Sequence, residues 1–334
     1  MTALGYSNQI ESNTQSPTLL KVRNLGKGFP VTMGLFKSGR VSAVEDVSFD
    51  VKEGETLGIV GESGCGKSTT ARLLLRLIEA DSGLIEFGGQ NLKNLTSVER
   101  KEIRRNMQMV FQDPYSALNP RMTIKDNIAF PMRVHRFPEE TIRTSVFELM
   151  EQVGLHTNYA SYYPSQLSGG QLQRVNIARA LALKPRLVIC DEAVAALDKS
   201  IQAQVLNLLK DLQKEFNLTY IFISHDLNVV EYMSDRVLVM YLGQVVETCD
   251  AEELYQNPLH PYTKLLLKAI PDLDFDKAIE AVKAVKGDLP SPLYPPPGCR
   301  FSTRCPDAME VCSRIQPAFR QPVPGHSVAC HLYE

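Results

Sequence analysis

The segment GESGCGKS, residues 61–68, carries residues that can bind phosphate. It fits the pattern G-x-x-x-x-G-K-[ST], and it stands between an apolar predicted strand, ETLGIVG, and a predicted helix, KSTTARLLLRLIEA. Glycines let backbone N–H groups turn toward phosphate oxygens, and a helix N-terminus adds positive potential. Lys67 can then reach the β- and γ-phosphates, and Ser68 can hold Mg²⁺. A plain Gly-rich turn is the alternative, which the strand–loop–helix context disfavours. The predicted nucleotide contacts here are Gly61, Ser63, Gly64, Cys65 (through its backbone), Gly66, Lys67, Ser68 and Thr69.

Two carboxylates end a second apolar run, RLVICDEAVAALD, residues 186–198. Phosphoryl transfer needs one acid in the Mg²⁺ shell and another to activate water, and Asp191 and Glu192 suit these roles in that order. Adjacent residues on a straight strand face opposite ways, so Glu192 must lie where the strand ends and turns. An ordinary acidic strand-to-loop junction is the alternative. The phosphate loop in the same chain favours the catalytic interpretation.

Composition places these segments in an ordinary globular chain. It has 334 residues, 44% apolar and 22% charged, with a net charge of −2 and a pI of about 6.3. This balance does not point to nucleic acid, and no apolar run is long enough to span a bilayer. The start, MTALGYSNQIESNTQSP, does not fit a secretory signal. We therefore expect a reducing compartment, in which stable disulfides are rare.

The chain pattern predicts an α/β fold. Residues 1–17 are polar and are expected to form a loose tail. Short apolar strands then alternate with helices, which indicates a largely parallel sheet covered on both faces. Residues 113–185 are mostly helical in pattern, which suggests an inserted subdomain. After about residue 271, prolines and cysteines become dense and mark a separate terminal segment.

A third motif, QLSGGQLQR at residues 166–174, makes the chain resemble a known family. With the phosphate loop and the Asp191–Glu192 pair in this order, residues 18–270 resemble the ATP-binding cassette of ABC transporters. The resemblance implies a P-loop NTPase fold with a mixed, mainly parallel core sheet, an N-terminal antiparallel β part and the helical subdomain. Ser168 and two glycines would open a helix whose N–H groups attract an anion. In the family, this segment faces the γ-phosphate of ATP held by a partner cassette, so two cassettes enclose two ATP molecules. The residues that the resemblance assigns to it are Ser168, Gly169, Gly170 and Gln171.

Four further positions resemble family residues. Gln112 ends a strand, like the glutamine that senses Mg²⁺ and the attacking water, and His225 in FISHDL resembles the histidine that contacts γ-phosphate. Asp198 resembles the aspartate that links the two sites across the dimer. Phe29 in GKGFPV resembles the aromatic residue that stacks on adenine, with Phe36 as a neighbouring candidate.

Two positions depart from the family pattern. Ala193 and Ala195 stand where the family usually has Pro and Ser. Losing the Pro relaxes the backbone after Glu192, and losing the Ser removes a hydroxyl that could form a hydrogen bond in the inter-subunit loop. Because Glu192 is present, we predict hydrolysis, and a non-hydrolysing regulatory subunit is the rival hypothesis.

The segments FQDPYSALNPRMTI (residues 111–124) and NPLHPYTKLLLKAIP (residues 257–271) are similar to the oligopeptide/dipeptide/nickel branch of importers. Residues 271–334 resemble that branch's C-terminal extension, and the chain is most like its last-named ATPase subunit. The resemblance implies an ATPase that powers peptide import from the cytoplasmic face of the inner membrane, with residues after Gln112 docking permease helices. It also implies a second ABC ATPase, two permeases and an extracytoplasmic substrate-binding protein as partners. Nickel or another small solute remains an alternative cargo. A soluble ABC ATPase of translation or DNA maintenance is a rival that the single cassette and the lack of heptads disfavour.

Four of the seven cysteines fall in the last 36 residues. Cys299, Cys305, Cys312 and Cys330 are separated by five, six and seventeen residues, which is not a paired zinc ribbon. Four thiolates suffice for tetrahedral Zn²⁺ or for a cubane iron–sulfur cluster, and His326 or His331 could replace one ligand of a zinc site. Some members of the resembled branch hold a [4Fe–4S] cluster at such a pattern. We expect a structural [4Fe–4S] cluster here, with zinc and four unmodified thiols as alternatives.

Overall fold

The computed structural model describes residues 16–32, 38–269 and 290–334, whose strands form two sheets. The strands are β1 (Thr18–Thr32), β2 (Ser38–Lys52), β3 (Thr56–Val60), β4 (Ser82–Phe87), β5 (Gln90–Asn91), β6 (Met107–Val110), β7 (Leu187–Asp191), β8 (Thr219–Ile223), β9 (Arg236–Tyr241), β10 (Gln244–Asp250), β11 (Phe319–Val323) and β12 (His326–Ala329). The helices are α1 (Lys67–Leu74), α2 (Ser97–Asn106), α3 (Pro114–Ala117), α4 (Ile124–Val134), α5 (Glu139–Gln152), α6 (Gly169–Leu181), α7 (Lys199–Phe216), α8 (Leu227–Met233), α9 (Ala251–Gln256) and α10 (Pro261–Lys268). No helix of the described ranges is long and apolar enough to cross a membrane.

The core sheet runs in the order β11–β12–β10–β9–β3–β8–β7–β6. Its centre is parallel, because β3 pairs with β8 and β9, and β7 pairs with β6 and β8. The pairs β9–β10, β10–β12 and β12–β11 are antiparallel. The mixed, mainly parallel core predicted from the sequence is therefore confirmed. The carboxyl ends of β6, β7 and β8 lie side by side, which brings the residues after them to one edge.

The central strands are mostly apolar because both faces of the sheet are covered. Every residue of β3, β7 and β8 is buried. Side chains alternate between two hydrophobic clusters along each strand, as the pleat requires. Ile189 and Ile221 pack in the cluster that includes β1, β2 and α1, whereas Cys190 and Phe222 pack in the one formed with the helices between β6 and β7 and with α7.

The N-terminal strands form the expected antiparallel sheet, in the order β2–β1–β4–β5. Leu20, Val22 and Val47 from this sheet are fully buried against the core sheet's cluster. Between β6 and β7 the chain is helical, and α4, α5 and α6 bury one another's apolar residues, such as Ile128, Met150 and Val175. These helices carry the QLSGGQLQR segment at the start of α6.

The last residues of the chain join the core sheet, which the sequence analysis did not predict. The hairpin β11–β12 pairs with β10 through Glu247 opposite Val328 and Thr248 opposite Ser327. Residues 290–334, here called the C-terminal unit, are thus continuous with the cassette's own sheet. The strand β11 (FRQPV) is exposed along its whole length, so it lacks the apolar alternation that predicts a strand.

Candidate active site

The phosphate loop connects β3 to α1 with a backbone that needs glycine at several points. Gly61 and Gly64 have φ of 148° and 79°, and Gly66, the N-cap of α1, has φ of 109°. A Cβ at Gly61 would lie 2.2 Å from the carbonyl oxygen of Met240, and a Cβ at Gly66 would lie 2.3 Å from that of Ala43. The loop therefore lies directly against neighbouring backbone, where no side chain fits.

Lys67 is buried in the loop at the start of α1. Its Nζ donates hydrogen bonds to the carbonyl oxygens of Gly61 (2.7 Å) and Glu62 (3.0 Å). Cys65 is also buried, and burial raises the pKa of its thiol, so it remains protonated. The side chains of Ser63 and Thr69 are exposed and half-buried, respectively. The loop therefore offers one buried ammonium group beside a row of backbone N–H groups.

Ser68 and Asp191 meet across the loop. The Ser68 hydroxyl donates to Asp191 Oδ1 at 2.9 Å. Asp191 ends β7 and is only 6% exposed; burial raises the pKa of its carboxyl, and the Ser68 hydrogen bond opposes this shift. A hydroxyl and a carboxylate at contact distance match the oxygen ligands that Mg²⁺ takes beside substrate phosphates.

Glu192 follows β7 and contacts residues that follow the neighbouring strands β6 and β8. It has φ of 49°, so the chain turns directly after β7, and its N–H donates to the carbonyl oxygen of Ile223 at 2.9 Å. Gln112, after β6, donates from Nε2 to Glu192 Oε2 at 2.8 Å. His225, after β8, places Nδ1 3.5 Å from Glu192 Oε1. The structure thus brings the three predicted catalytic residues into one cluster, whose roles stay a prediction.

The QLSGGQLQR segment begins α6 with a reciprocal cap. Ser168 Oγ accepts from the Gln171 N–H (3.4 Å), and Gln171 Oε1 accepts from the Ser168 N–H (2.9 Å). A Cβ at Gly170 would lie 2.5 Å from Ile201 in α7, which explains the small residue there, and Gly169 precedes it in the first turn. Among the described residues, no hydrogen bond or ion pair joins Ser168–Gln171 to the phosphate loop of the same chain.

Asp198 and Phe29 are the remaining predicted contacts. Asp198 caps α7, accepting from the Ile201 N–H at 3.0 Å and from the Ser200 hydroxyl at 2.8 Å. Phe29 lies on β1, 38% exposed, with Lys27 Nζ 5.7 Å from its ring centroid. The alternative, Phe36, lies outside the described residues. An exposed ring on β1 is compatible with stacking on a base.

The four late cysteines lie near one another as free thiols. The Cys299 N–H donates to the carbonyl oxygen of Cys312 at 2.8 Å. Burial raises the pKa of the Cys299 thiol, and Cys312 and Cys330 add to the rise. Burial also raises the pKa of Cys305 to about 11. In the ranges that the structure describes, no group of three or more His, Cys, Asp or Glu side chains is arranged to hold a metal ion.

The two histidines considered for a zinc site have other partners. His326 Nε2 lies 2.7 Å from Glu247 Oε1, and both side chains are buried. His331 contacts Glu334 through Nδ1 and the carbonyl oxygen of Ile315 through Nε2. Both ring nitrogens of His331 are thus in contact with other groups, whereas His326 Nδ1 is buried without a hydrogen-bond partner among the described residues. A zinc site that used His331 would have to break its two contacts, and one that used His326 would have to leave the Glu247 contact or bind through Nδ1.

Two contacts to the phosphate loop escaped the sequence analysis. Arg304 forms a double ion pair with Glu62, and the Glu62 N–H donates to the Tyr262 hydroxyl. Tyr262 belongs to the HPYT stretch, which indicated the importer branch. That stretch did not predict a contact between Tyr262 and the phosphate loop. Arg304 stands between Cys299 and Cys305 in the sequence, and no pattern there links it to Glu62.

Comparisons with known proteins agree with this geometry. A family model described as ABC transporter matches residues 44–195, and one described as oligopeptide/dipeptide transporter, C-terminal region, matches residues 246–312. The oligopeptide transport ATP-binding protein AppF of Bacillus subtilis is 53% identical over 321 residues, covering 95% of this chain and 98% of that protein. The chain belongs to the family of ATP-binding subunits of oligopeptide and dipeptide ABC transporters.

Other relatives and solved structures support this membership. The oligopeptide transport ATP-binding protein OppF of Escherichia coli is 50% identical over 87% of each chain, and the di/tripeptide transport ATP-binding protein DppF of Pseudomonas aeruginosa is 46% identical over 95% of this chain and 98% of that one. The ABC cassette MJ0796, solved as a dimer in a post-hydrolysis state with ADP and Pi, is 31% identical with a TM-score of 0.62, covering 70% of this chain and 99% of that one. CbiO1 of Clostridium perfringens is 28% identical with a TM-score of 0.63, covering 72% and 91%.

Proposed function

We propose that this ABC subunit hydrolyses ATP and that hydrolysis powers the import of di- and oligopeptides through a membrane permease complex. The single observation that carries the ATPase proposal is the placement of Glu192 beside Gln112 and His225, next to the Ser68–Asp191 pair. Peptides are supported as cargo by the AppF, OppF and DppF relatives, whose names state peptide transport.

In this mechanism, the phosphate loop binds the β- and γ-phosphates of ATP. Lys67 is held by two carbonyl oxygens, and we propose that phosphate oxygens replace them as its partners. Ser68, Asp191 and Gln112 would hold Mg²⁺, which neutralises phosphate charge when it is bound. Glu192 accepts the proton of the attacking water, and His225 contacts the γ-phosphate.

We propose that the complete site forms between two cassettes. Ser168, Gly169, Gly170 and Gln171 lack a bond to their own phosphate loop in the described residues, which supports a role toward ATP on a partner. Asp198, at the adjacent start of α7, would link the two sites. A second homologous ABC ATPase is the proposed partner, and the solved dimer of MJ0796 supports pairing between cassettes.

The wider assembly and the domain limits are also proposals. We propose that the subunit works peripherally at the cytoplasmic face of the cell membrane, with two permeases and an extracytoplasmic substrate-binding protein. The proposed domains are a tail (1–17), the cassette (18–270) with its helical subdomain (113–185), and the C-terminal extension (271–334). The first fifteen residues and the boundary near residue 270 lie outside the described residues.

The test is a reconstituted complex of both ATPases, the permeases and the binding protein. Glu192→Gln should lower its ATPase rate by about 100-fold or more, because a general base contributes that much, while ATP binding persists. Glu215→Gln, an exposed change on α7, is the matched control. An equal rate in wild type and Glu192→Gln would contradict the catalytic role. Nickel uptake without peptide uptake, or binding to ribosomes or DNA without permeases, would contradict the peptide-import role.

We also propose that Cys299, Cys305, Cys312 and Cys330 ligate a structural [4Fe–4S] cluster. Their number equals that of the ligands of a cubane cluster, which binds cysteines as thiolates and can supply folding energy to a short segment. The described side chains are not pre-arranged around a single ion, so this proposal requires them to adjust. Anaerobic preparation should give a brown protein containing iron and sulfide. Zinc alone, or no metal, would contradict it.

A further inference from the structure

Glu62, the second residue of the phosphate loop, is restrained through all its polar groups. Arg304 donates from its two terminal nitrogens to Glu62 Oε2 (2.8 Å) and Oε1 (2.9 Å). The Glu62 N–H donates to the Tyr262 hydroxyl at 2.8 Å, and the Glu62 carbonyl accepts from Lys67 at 3.0 Å. Two of its partners, Arg304 and Tyr262, lie outside the nucleotide-binding motifs, in the C-terminal unit and in α10 respectively; the Cys65 N–H also donates to the Glu62 carbonyl, at 3.2 Å.

The Arg304–Glu62 pair is buried enough to hold its geometry. The Arg304 side chain is 6% exposed and that of Glu62 is 25% exposed. Arg304 also donates to the Tyr241 hydroxyl at 3.3 Å, and its guanidinium carbon lies about 6 Å from the ring centroids of Tyr241 and Phe301. A two-pronged Arg–carboxylate pair fixes orientation as well as distance. The Arg304 guanidinium is therefore held in one orientation, and it restrains Glu62 of the phosphate loop.

An aromatic cluster packs beside the Arg304 guanidinium and connects it to the cassette. Tyr241 of β9, Tyr262 of α10 and Phe301 of the C-terminal unit are each at most 1% exposed. Their ring centroids lie 4.6 Å apart for Tyr241–Tyr262 and 5.3–5.4 Å apart for the two pairs with Phe301. Such packing joins three chain segments into one rigid support.

A second arginine of the C-terminal unit supports the other end of the loop. Arg300 donates to the carbonyl oxygen of Leu242, in the turn after β9, and pairs with Glu45. The next residue in that turn, Gly243, donates its N–H to the carbonyl oxygen of Cys65 at 2.8 Å. The loop is thus supported near residue 62 and near residue 65 by parts that the C-terminal unit contacts.

We propose that Arg304 and Tyr262 are positioning residues that hold the phosphate loop in its ATP-binding shape, so that the C-terminal unit sets the affinity of the cassette for ATP. This inference rests on the proposed function. The loop needs outside support because Gly61 and Gly64, on either side of Glu62 and Ser63, are conformationally permissive. Backbone N–H groups bind phosphate tightly only when they are already aimed at it.

The test measures binding of a fluorescent ATP analogue to the full chain in the presence of Mg²⁺. Arg304→Ala should raise the Kd about 10-fold, since it removes a charge-assisted double hydrogen bond. Arg304→Lys should recover part of the loss, because it keeps the charge without the fork. Tyr262→Phe, which keeps the ring and removes the acceptor, should raise the Kd about 3-fold. Arg314→Ala is the matched control, because that arginine is exposed and pairs within its own turn with Glu310.

Kinetics of the reconstituted transporter separate positioning from general damage. Arg304→Ala should raise the KM for ATP about 10-fold while kcat stays within about 2-fold, because the cluster around Glu192 is untouched. If Arg304→Ala does not fold, Glu62→Gln and Tyr262→Phe give the decision. A folded Arg304→Ala with wild-type Kd, or additive effects of Glu62→Gln and Arg304→Ala, would overturn the inference. Failure of the wild type itself to bind the analogue would instead contradict the proposed function.

Discussion

Glu247 of β10 and His326 of β12 form a buried contact of 2.7 Å between Oε1 and Nε2, in which both side chains are at most 1% exposed. Glu247 also accepts the N–H groups of Leu259 (2.6 Å) and His260 (3.1 Å). One carboxylate therefore joins the core sheet, the terminal hairpin and the start of α10. The last strands of the chain are part of the cassette's structure at this point.

The first prediction concerns this carboxylate. Glu247→Ala should lower the free energy of unfolding by about 3–5 kcal/mol, because it leaves a buried imidazole, the buried His260 N–H and the part-buried Leu259 N–H without their acceptor. Urea denaturation of the full chain measures the change. The control is Glu252→Ala, an exposed change on α9, which is expected to stay within about 0.5 kcal/mol. Equal stability of the two variants would show that Glu247 does not join these elements.

The second prediction is a pH dependence centred on His260. Burial lowers the pKa of this imidazole to about 3, with Lys264 adding to the effect, while its Nδ1 accepts the Tyr262 N–H at 3.0 Å. The unfolded chain takes up a proton near pH 6.5, so stability is full above that value and falls as the pH drops toward 3. Wild type should lose about 2 kcal/mol more between pH 7 and pH 5 than His260→Asn, whose side chain can still cap α10. If urea denaturation shows the same loss of stability between pH 7 and pH 5 in wild type and in His260→Asn, His260 is not the titrating group.

Local patterns in the sequence were sufficient for the α/β class and for two features of the candidate site. The turn at Glu192 followed from the alternation of strand side chains, and the start of α6 at Ser168 followed from its capping residue. Both are local effects, in which neighbouring residues constrain one another. The apolar runs and their order predicted the α/β class, whereas the ABC cassette was implied by the resemblance of the motifs to a known family.

Local sequence patterns do not predict contacts between residues that are far apart in the chain. Arg304 and Glu62 are 242 positions apart, and neither residue type signals the other. The pairing of β12 with β10 likewise depends on a polar, Pro-containing hairpin that lacks strand periodicity. Cysteine spacing gave no distances between thiols, so the proximity of Cys299, Cys312 and Cys330 required the structure.

The third prediction compares two glycines with positive φ. Gly66→Ala should destabilise the chain by more than about 2 kcal/mol and abolish nucleotide binding, because the new Cβ adds a clash with the Ala43 carbonyl to the backbone strain. Gly325→Ala, in the β11–β12 turn with φ of 79° and open space around it, should cost only about 1 kcal/mol and keep binding. Thermal unfolding and nucleotide titration measure both. Equal losses of stability and of nucleotide binding in the two variants would contradict this prediction.

The fourth prediction addresses the Mg²⁺ site. Asp191→Asn should raise the Mg²⁺ concentration that half-saturates ATPase activity by about 10-fold or more, since a neutral amide replaces the buried carboxylate beside Ser68. The reconstituted transporter, titrated with Mg²⁺ at fixed ATP, gives this value. Asp211→Asn, an exposed change on α7, should leave it unchanged. An unaltered Mg²⁺ requirement in Asp191→Asn would remove this residue from the metal's surroundings.

The exposed strand β11 protects the chain from aggregating with copies of itself. An open sheet edge offers unpaired N–H and C=O groups to any other strand. In β11, Pro322 cannot donate to a neighbouring strand, and Arg320 adds a charge on the rim. Deleting residues 318–334 would uncover the edge of β10, whose Val246 and Cys249 are buried in the intact chain. Loss of seventeen residues from the end should therefore appear first as aggregation during expression, before any defect in ATP binding is seen.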